Sequence, residues 1–181
     1  MFIPEQPNEA QQVPFFDDVT GEGGWQGHGT SKSIDTLKAE IISSIARLGG
    51  LVSGFQRGTF QISGQERDGF QIHYSIETPD GSMVPGRIDV AALPIKKVAS
   101  RRKSEKTRRE KSLRMALYML RQAMDGLWFL QQLSPGYAPM MPWMIGKGGK
   151  TISQLWAESP VMSNLLPDPG EAFVEGEVCA R

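Results

Sequence analysis

The sequence predicts an α+β domain in which a short and a long helix cover a three-stranded antiparallel meander, in the chain order α-β-β-β-α. Three observations predict this class. Apolar residues recur at helical spacing over residues 34–48 and again over residues 113–133. Between them, residues 70–76 alternate apolar and polar side chains, as in a strand with one buried face. Turn-forming glycine and proline separate these segments.

The first helix is predicted to begin after Ser33, whose hydroxyl can cap its free N–H groups. It is expected to end at Gly49-Gly50, because glycine adopts the left-handed conformation that closes a helix. The residues expected on its buried face are Ile34, Leu37, Ile41, Ile45 and Leu48.

Three strands are expected after this helix. Residues 64–69 are assigned to the first turn, Pro79-Asp80-Gly81 to the second, and Pro94 to the end of the third strand. The apolar positions expected to face the core are Phe60, Ile62, Phe70, Ile72, Tyr74, Ile76, Ile88, Val90 and Ala92. Since such a meander has one wet face, the helices must cover the other.

The long helix is predicted to carry two adjacent apolar stripes, wide enough for a sheet and a second helix. The first stripe contains Leu113, Leu117, Leu120, Met124 and Leu127; the second contains Ala116, Met119, Ala123, Leu130 and Leu133. Ser134-Pro135-Gly136 is expected to end the helix.

The predicted domain spans residues 31–158, between flexible acidic tails at residues 1–30 and 159–181. Residues 1–30 carry five acidic residues and no Lys or Arg, so charge is segregated in a chain whose formal net charge is zero. The N-terminal residues lack the basic and apolar regions of a signal peptide, and no run of 18 apolar residues occurs. A cytoplasmic protein that does not span a membrane is therefore expected.

Positive charge is concentrated in residues 96–111, which hold nine basic residues and two acidic ones. Cations at the start of a helix oppose its dipole, a cost that is tolerated when the charge has a partner. DNA or RNA phosphates would be such a partner, and the release of counterions would favour their binding. The residues expected to contact phosphates are Arg101, Arg102, Lys103, Lys106, Arg108 and Arg109. The alternatives are a solvated helix extension, an intramolecular match with the acidic tails, and a protein partner with an acidic surface.

The stretch "MIGKGGKTISQL", residues 144–155, has three interpretations. Gly146-Lys147-Gly148-Gly149 matches the Gly-x-x-Gly loop with which KH domains clamp single strands, but prolines interrupt the approach to it. Gly149-Lys150-Thr151 ends like a phosphate loop but lacks that motif's first glycine. A tight turn followed by a short helix is the interpretation that the sequence favours, with Lys147 and Lys150 available to extend a phosphate-binding track.

The segments at residues 38–50, 70–76 and 112–127 resemble small uncharacterised α+β proteins of phages, prophages and actinobacteria. In that group a short helix and a meander precede a long helix with an Arg-rich start. An apolar strand, a Gly-containing turn, a Thr and a short amphipathic helix follow. The resemblance covers residues 31–160 at the level of pattern, and the group has no established activity to transfer.

Motifs for catalysis, cofactor binding or metal binding are not found in the sequence. His73 has no Ser or Cys nucleophile at a recognised spacing, and Cys179, His28 and His73 are too few for a zinc site. The chain is therefore expected to be a non-enzymatic nucleic-acid-binding module without cofactor or metal. The alternative is a protein-interaction or oligomerisation module that uses a Met- and Trp-rich apolar surface.

Overall fold

The predicted α-β-β-β-α order is confirmed in the computed structural model, which describes residues 13–78, 80–97 and 104–158. The long elements are α1 (Ile34–Arg47), β1 (Gly50–Ile62), β2 (Gln65–Glu77), β3 (Met83–Ala91) and α2 (Glu105–Leu133). Single 3-10 turns occupy Phe16–Asp18, Met141–Trp143 and Lys147–Gly149, and a short helix, α3, spans Ile152–Glu158. None of the helices in these ranges is long and apolar enough to cross a membrane.

The three strands form one antiparallel sheet in the order β1-β2-β3. Ile62 pairs with Gln65, so the first hairpin turns on Ser63 and Gly64, both with positive φ (52° and 75°). The prediction of a turn over residues 64–69 was therefore wrong. Residues 65–69 continue β2, but their polar side chains give no apolar alternation.

Both long helices pack on the sheet face that carries Phe70, Ile72 and Tyr74, and these three side chains are at most 1% exposed. The helices run parallel to one another. Glu40 lies beside Arg121 at 3.7 Å, and about two turns further along both helices the Arg47 guanidinium stacks on Trp128 at 4.0 Å. Because α1 ends at Arg47, level with Trp128, the last turn of α2 continues beyond it.

Phe60 was predicted to face the core, and this prediction was wrong. Phe60 pairs with Arg67, an odd number of residues from Phe70, so it lies on the opposite face of the sheet. A Cβ at Gly69 would come within 2.6 Å of the Phe60 ring, so this glycine lets the ring lie close against the strand. Ile62, on the same face, is 37% exposed.

Residues 13–30 pack against the domain, which differs from the predicted flexible tail. Phe16 and Val19 are 5% and 7% exposed and form a second apolar cluster with Leu93 and Met115. The Phe16 N–H donates to the Pro94 carbonyl at 2.9 Å. The folded domain therefore begins before residue 31. Residues 1–12 and the predicted tail at 159–181 lie outside the described residues.

The two predicted stripes of α2 have different environments. In the first stripe Leu113, Leu117 and Met124 are completely buried, as expected. The second stripe changes along its length, because Met119 packs against the second apolar cluster whereas Leu130 and Leu133 are 50% and 79% exposed. The prediction that this stripe faces the core is wrong for its C-terminal half.

After α2 the chain returns to the sheet edge. The Tyr74 hydroxyl donates to the Met140 carbonyl at 3.1 Å, and the Ile145 N–H donates to the Pro85 carbonyl at 2.8 Å. Met144 forms an isolated antiparallel bridge with Gly86 in β3. These contacts place the Gly- and Lys-rich stretch beside the free edge of β3.

Candidate nucleic-acid interface at the start of the long helix

The long helix begins at Glu105, within the basic run, so the cations of residues 106–111 lie in its first turns. Ser104 caps it, with its hydroxyl accepting from the Thr107 N–H at 3.2 Å, and Glu105 supplies one negative charge in the first turn. Arg101, Arg102 and Lys103 lie outside the described residues. Of the predicted phosphate ligands on this run, Lys106, Arg108 and Arg109 are described.

Arg108 is held inside the structure. Its side chain is 7% exposed, and Nη1 donates to both carboxylate oxygens of Asp17, at 2.9 and 2.8 Å, and to the Lys96 carbonyl at 3.2 Å. A buried guanidinium with a carboxylate partner stabilises the position of residues 13–18 on α2. Its exposure is too low for contact with a phosphate in this arrangement.

The Asp17 carboxylate also accepts from the Lys96 N–H at 3.0 Å. Burial by itself raises the pKa of Asp17, but the hydrogen bonds from Arg108 and Lys96 and their positive charges lower it below its usual value. Asp18 continues the contact, with Oδ1 2.5 Å from Lys96 Nζ. The intramolecular match with the acidic N-terminal segment, one of the alternatives from the sequence, is therefore present for Arg108 and Lys96.

Arg109 is surrounded by carboxylates from two elements. Its guanidinium lies 3.3 Å from Glu105 in α2, and 3.8 and 4.0 Å from Asp68 and Glu66 in β2. The Arg109 side chain is 41% exposed, so each of these pairs is screened by solvent and contributes little stability. Together they still neutralise the positive charge that Arg109 would offer to a ligand.

Two lysines of the basic run differ from these arginines. Lys97 and Lys106 are exposed, and within the described parts of the chain neither forms an ion pair. They lie on either side of residues 98–103, which contain Arg101, Arg102 and Lys103. Among the described cations of the run, Lys97 and Lys106 are therefore the ones without an ion pair at the two ends of the β3–α2 connection.

A cavity of about 640 Å³ lies between this connection and the end of the β1–β2 hairpin. Its charged lining residues are Arg67, Lys96, Lys97, Arg109, Glu66, Asp68 and Glu105. Arg67 donates to the Ala91 and Ala92 carbonyls at 3.2 and 2.7 Å, and burial lowers its pKa. Because both signs of charge line the cavity, it does not select strongly for an anion or a cation.

The stretch at residues 146–150 is a tight turn, which confirms the interpretation that the sequence favoured. The Gly146 N–H donates to the Lys150 carbonyl at 2.8 Å, and Gly148 and Gly149 both have φ of 73°. Since α2 ends at Leu133, and Met144 and Ile145 form bridges with Gly86 and Thr151, no helix runs directly into this loop as it would in a KH domain. Lys150 pairs with Glu158, and the Lys147 side chain lies outside the described part of the structure.

Arg87 fastens this turn to the sheet, a role that the sequence analysis missed. Its Nη1 donates to the Gly149 carbonyl at 3.3 Å, its Nη2 to Gln154 Oε1 at 3.1 Å, and its Nε to Asp89 Oδ2 at 3.2 Å. A polar residue in a strand has many uses, so no local signal could have indicated this one. Arg87 is four residues from Ala91, so the turn is held about 13 Å along the strand from the end of β3.

The described residues contain no group of three or more His, Cys, Asp or Glu side chains arranged to hold a metal ion. Comparison of the chain with protein-family models, with curated proteins and with solved structures gives no match. The function of the protein is therefore inferred from the geometry and charge of this chain alone.

Proposed function

We propose that the protein is a non-enzymatic nucleic-acid-binding module that contacts phosphates through the β3–α2 connection. The observation that carries the proposal is the exposure of Lys97 and Lys106, without ion pairs among the described residues, on both sides of a six-residue segment with three more cations. Five positive charges within residues 97–106 would release counterions on contact with a phosphate backbone.

The cations of the basic run fall into two groups in this proposal. Arg108 and Arg109 are neutralised by carboxylates and hold the base of α2 against residues 13–18 and β2. We assign phosphate contact to the second part, which consists of Lys97, Arg101, Arg102, Lys103 and Lys106. Of this second part, Lys106 lies in the first turn of α2, directly after the Ser104 cap.

Lys147 and Lys150 are proposed to extend this surface along β3. The turn that carries them is held on the same strand, about 13 Å from its end at Ala91, on the chain that leads to the connection. Lys150 forms an ion pair with Glu158, which reduces the contribution to phosphate binding that we expect from Lys150. In keeping with the resemblance to phage and prophage proteins, we propose a mobile-element context for this binding.

The test is a fluorescence-anisotropy panel on the full chain with single- and double-stranded DNA and RNA at 50 to 200 mM salt. With about five phosphate contacts we expect log K to fall with log[salt] with a slope of about −4. A variant in which Lys97, Arg101, Arg102, Lys103 and Lys106 are replaced by Ala should lose at least about tenfold in affinity.

The matched control replaces Lys32 and Lys38 by Ala, because these α1-side lysines lie away from the connection. The control should bind as the unchanged protein does. Affinity that survives the five-residue variant, or that shows no dependence on salt, would refute the proposal. A further variant, Lys147→Ala with Lys150→Ala, measures the extension along β3 separately.

The Met- and Trp-rich surface of the alternative hypothesis is largely internal. Met115, Met124 and Met140 are at most 1% exposed, which leaves Met141 and Trp156 as its exposed members, at 52% and 48%. A different apolar surface, which contains Phe129, Leu130 and Leu133 of α2, is exposed.

A further inference from the structure

One face of α2 carries a continuous stripe at heptad-like spacing, whose two halves have different surroundings. The stripe runs through Arg108, Ser112, Met115, Met119, Ala123, Gly126, Leu130 and Leu133, with Phe129 beside its end. The first half is covered by residues 13–30, since Phe16 and Val19 pack with Met115 and Met119. The second half, from Ala123 onward, is exposed.

The exposed half is strongly apolar and lies where α2 extends past the end of α1. Phe129, Leu130 and Leu133 are 58%, 50% and 79% exposed. The chain has no charged residue from position 126 to position 146, so the last two turns of α2 contribute no charged side chain to this surface. Apolar side chains grouped in this way on a helix mark an association surface.

Gly126 lies within the exposed half, and no contact inside the described chain explains why glycine occupies this position. Glycine is unfavourable inside a helix relative to alanine, and here a Cβ would have no neighbour within 4 Å. No side chain or backbone of the described residues approaches Gly126 closely. A small residue at this position does, however, leave a shallow depression on the stripe, with Ala123 at its edge.

We propose that this exposed half, from Ala123 to Leu133, is a dimer interface whose partner is a second copy of the chain. The exposed half has two small residues, Ala123 and Gly126, at one end and two large ones, Leu130 and Leu133, at the other. When two copies of α2 pack antiparallel, Leu130 and Leu133 of each copy fit over Ala123 and Gly126 of the other. The same patch then meets itself about a two-fold axis, as an isologous interface requires.

The size of the patch predicts a weak dimer. About three helical turns bury less than the roughly 800 Å² per partner of a standard interface, so we expect a dissociation constant in the micromolar range. Association through uncharged side chains should change little between 50 and 500 mM salt, in contrast to the proposed binding of nucleic acid. The failure of one proposal would therefore leave the other untouched, because dimerisation and nucleic-acid binding are measured separately and respond differently to salt.

Sedimentation-velocity ultracentrifugation of the full chain over about 5 to 500 µM tests the proposal. The wild type should shift from monomer to dimer over this range. Leu130→Asp with Leu133→Asp should weaken dimerisation at least about tenfold. Gly126→Leu should do the same by filling the depression, and it should remain folded because its Cβ has free space. Leu51→Asp is the control, since Leu51 is 69% exposed on β1 and should leave dimerisation unchanged.

A cysteine pair tests the antiparallel register. In a Cys179→Ser background, Gly126→Cys and Leu130→Cys proteins are mixed in equal amounts and oxidised; the antiparallel arrangement predicts a larger share of heterodimer than random pairing of the two proteins would give. A wild type that stays monomeric throughout the range would overturn the proposal. A dimer that neither Gly126→Leu nor the double Asp variant affects would also overturn it. The same holds if the backbone amides of residues 123–133 exchange readily only after removal of residues 159–181.

Discussion

The Asp17 carboxylate receives two hydrogen bonds from Nη1 of Arg108, at 2.9 and 2.8 Å, and these residues are 91 positions apart in the chain. This contact joins the N-terminal segment to the base of the long helix. It also removes Arg108 from the set of cations that can reach a ligand. The same carboxylate accepts from the Lys96 N–H, so one side chain orders both ends of the β3–α2 connection.

Replacing Asp17 by Ala should destabilise the protein by about 2 kcal/mol, because it leaves the buried Arg108 guanidinium without its carboxylate. Urea unfolding monitored by circular dichroism measures this change. Asp18→Ala is the control: its pair with Lys96 is exposed and should contribute less than about 1 kcal/mol. Equal effects of the two substitutions would contradict the role assigned to Arg108.

The stability that Asp17 contributes should depend on pH in the acid range. Its folded-state pKa is below the usual value, so the unfolded chain takes up a proton first as the pH falls. The contribution is complete above about pH 5 and is lost as the pH falls through the folded pKa. Urea midpoints between pH 2 and pH 6 should therefore fall more steeply for the wild type than for Asp17→Asn, and parallel curves would refute this assignment.

Tyr74 should make stability depend on pH in the alkaline range. Burial raises the pKa of its hydroxyl to about 12, and the hydroxyl donates to the Met140 carbonyl. Because the folded pKa exceeds the unfolded one, the contribution is complete below about pH 10 and is lost as the pH rises toward about 12. Tyr74→Phe should cost about 1 kcal/mol at neutral pH and flatten this alkaline decline in urea midpoints.

Gly86→Ala should destabilise the domain by about 2 kcal/mol, since the added Cβ would lie 2.1 Å from the Tyr74 ring. Gly58→Ala provides a matched control, because Gly58 is also a strand glycine but a Cβ there meets nothing within 4 Å. Thermal unfolding of the two variants measures the difference. If Gly86→Ala were as stable as Gly58→Ala, Tyr74 could not lie against β3 as described.

Arg87→Ala should release the turn at residues 146–150 from the sheet while leaving the core intact. The substitution removes the donors to Gly149 and Gln154 but touches none of the buried apolar side chains. Hydrogen exchange followed by mass spectrometry should show faster exchange in residues 146–158 and unchanged exchange in β2. Arg57→Ala, which breaks an exposed pair with Glu110, is the control and should leave that segment unaffected.

The elements that could be predicted from the sequence are those with local signals. Ser33 and Gly49 limit α1 because capping and left-handed closure involve neighbouring residues, and the alternation through Phe70 and Tyr74 marks β2 in the same way. The polar start of β2 could not be found by this route. Its residues face Arg109 and the cavity rather than an apolar core, so they lack the pattern that identifies a strand.

The sequence by itself determined the α+β class, the order of elements and the place of the basic run, because these depend on spacing along the chain. Only the tertiary structure decided which of those cations are neutralised and which apolar side chains of α2 remain in water. Charge compensation acts over a few ångströms in space, so Arg108 depends on an aspartate 91 residues away. Burial of a helix face likewise depends on where its neighbour ends, and α1 ends before it reaches Leu130 and Leu133.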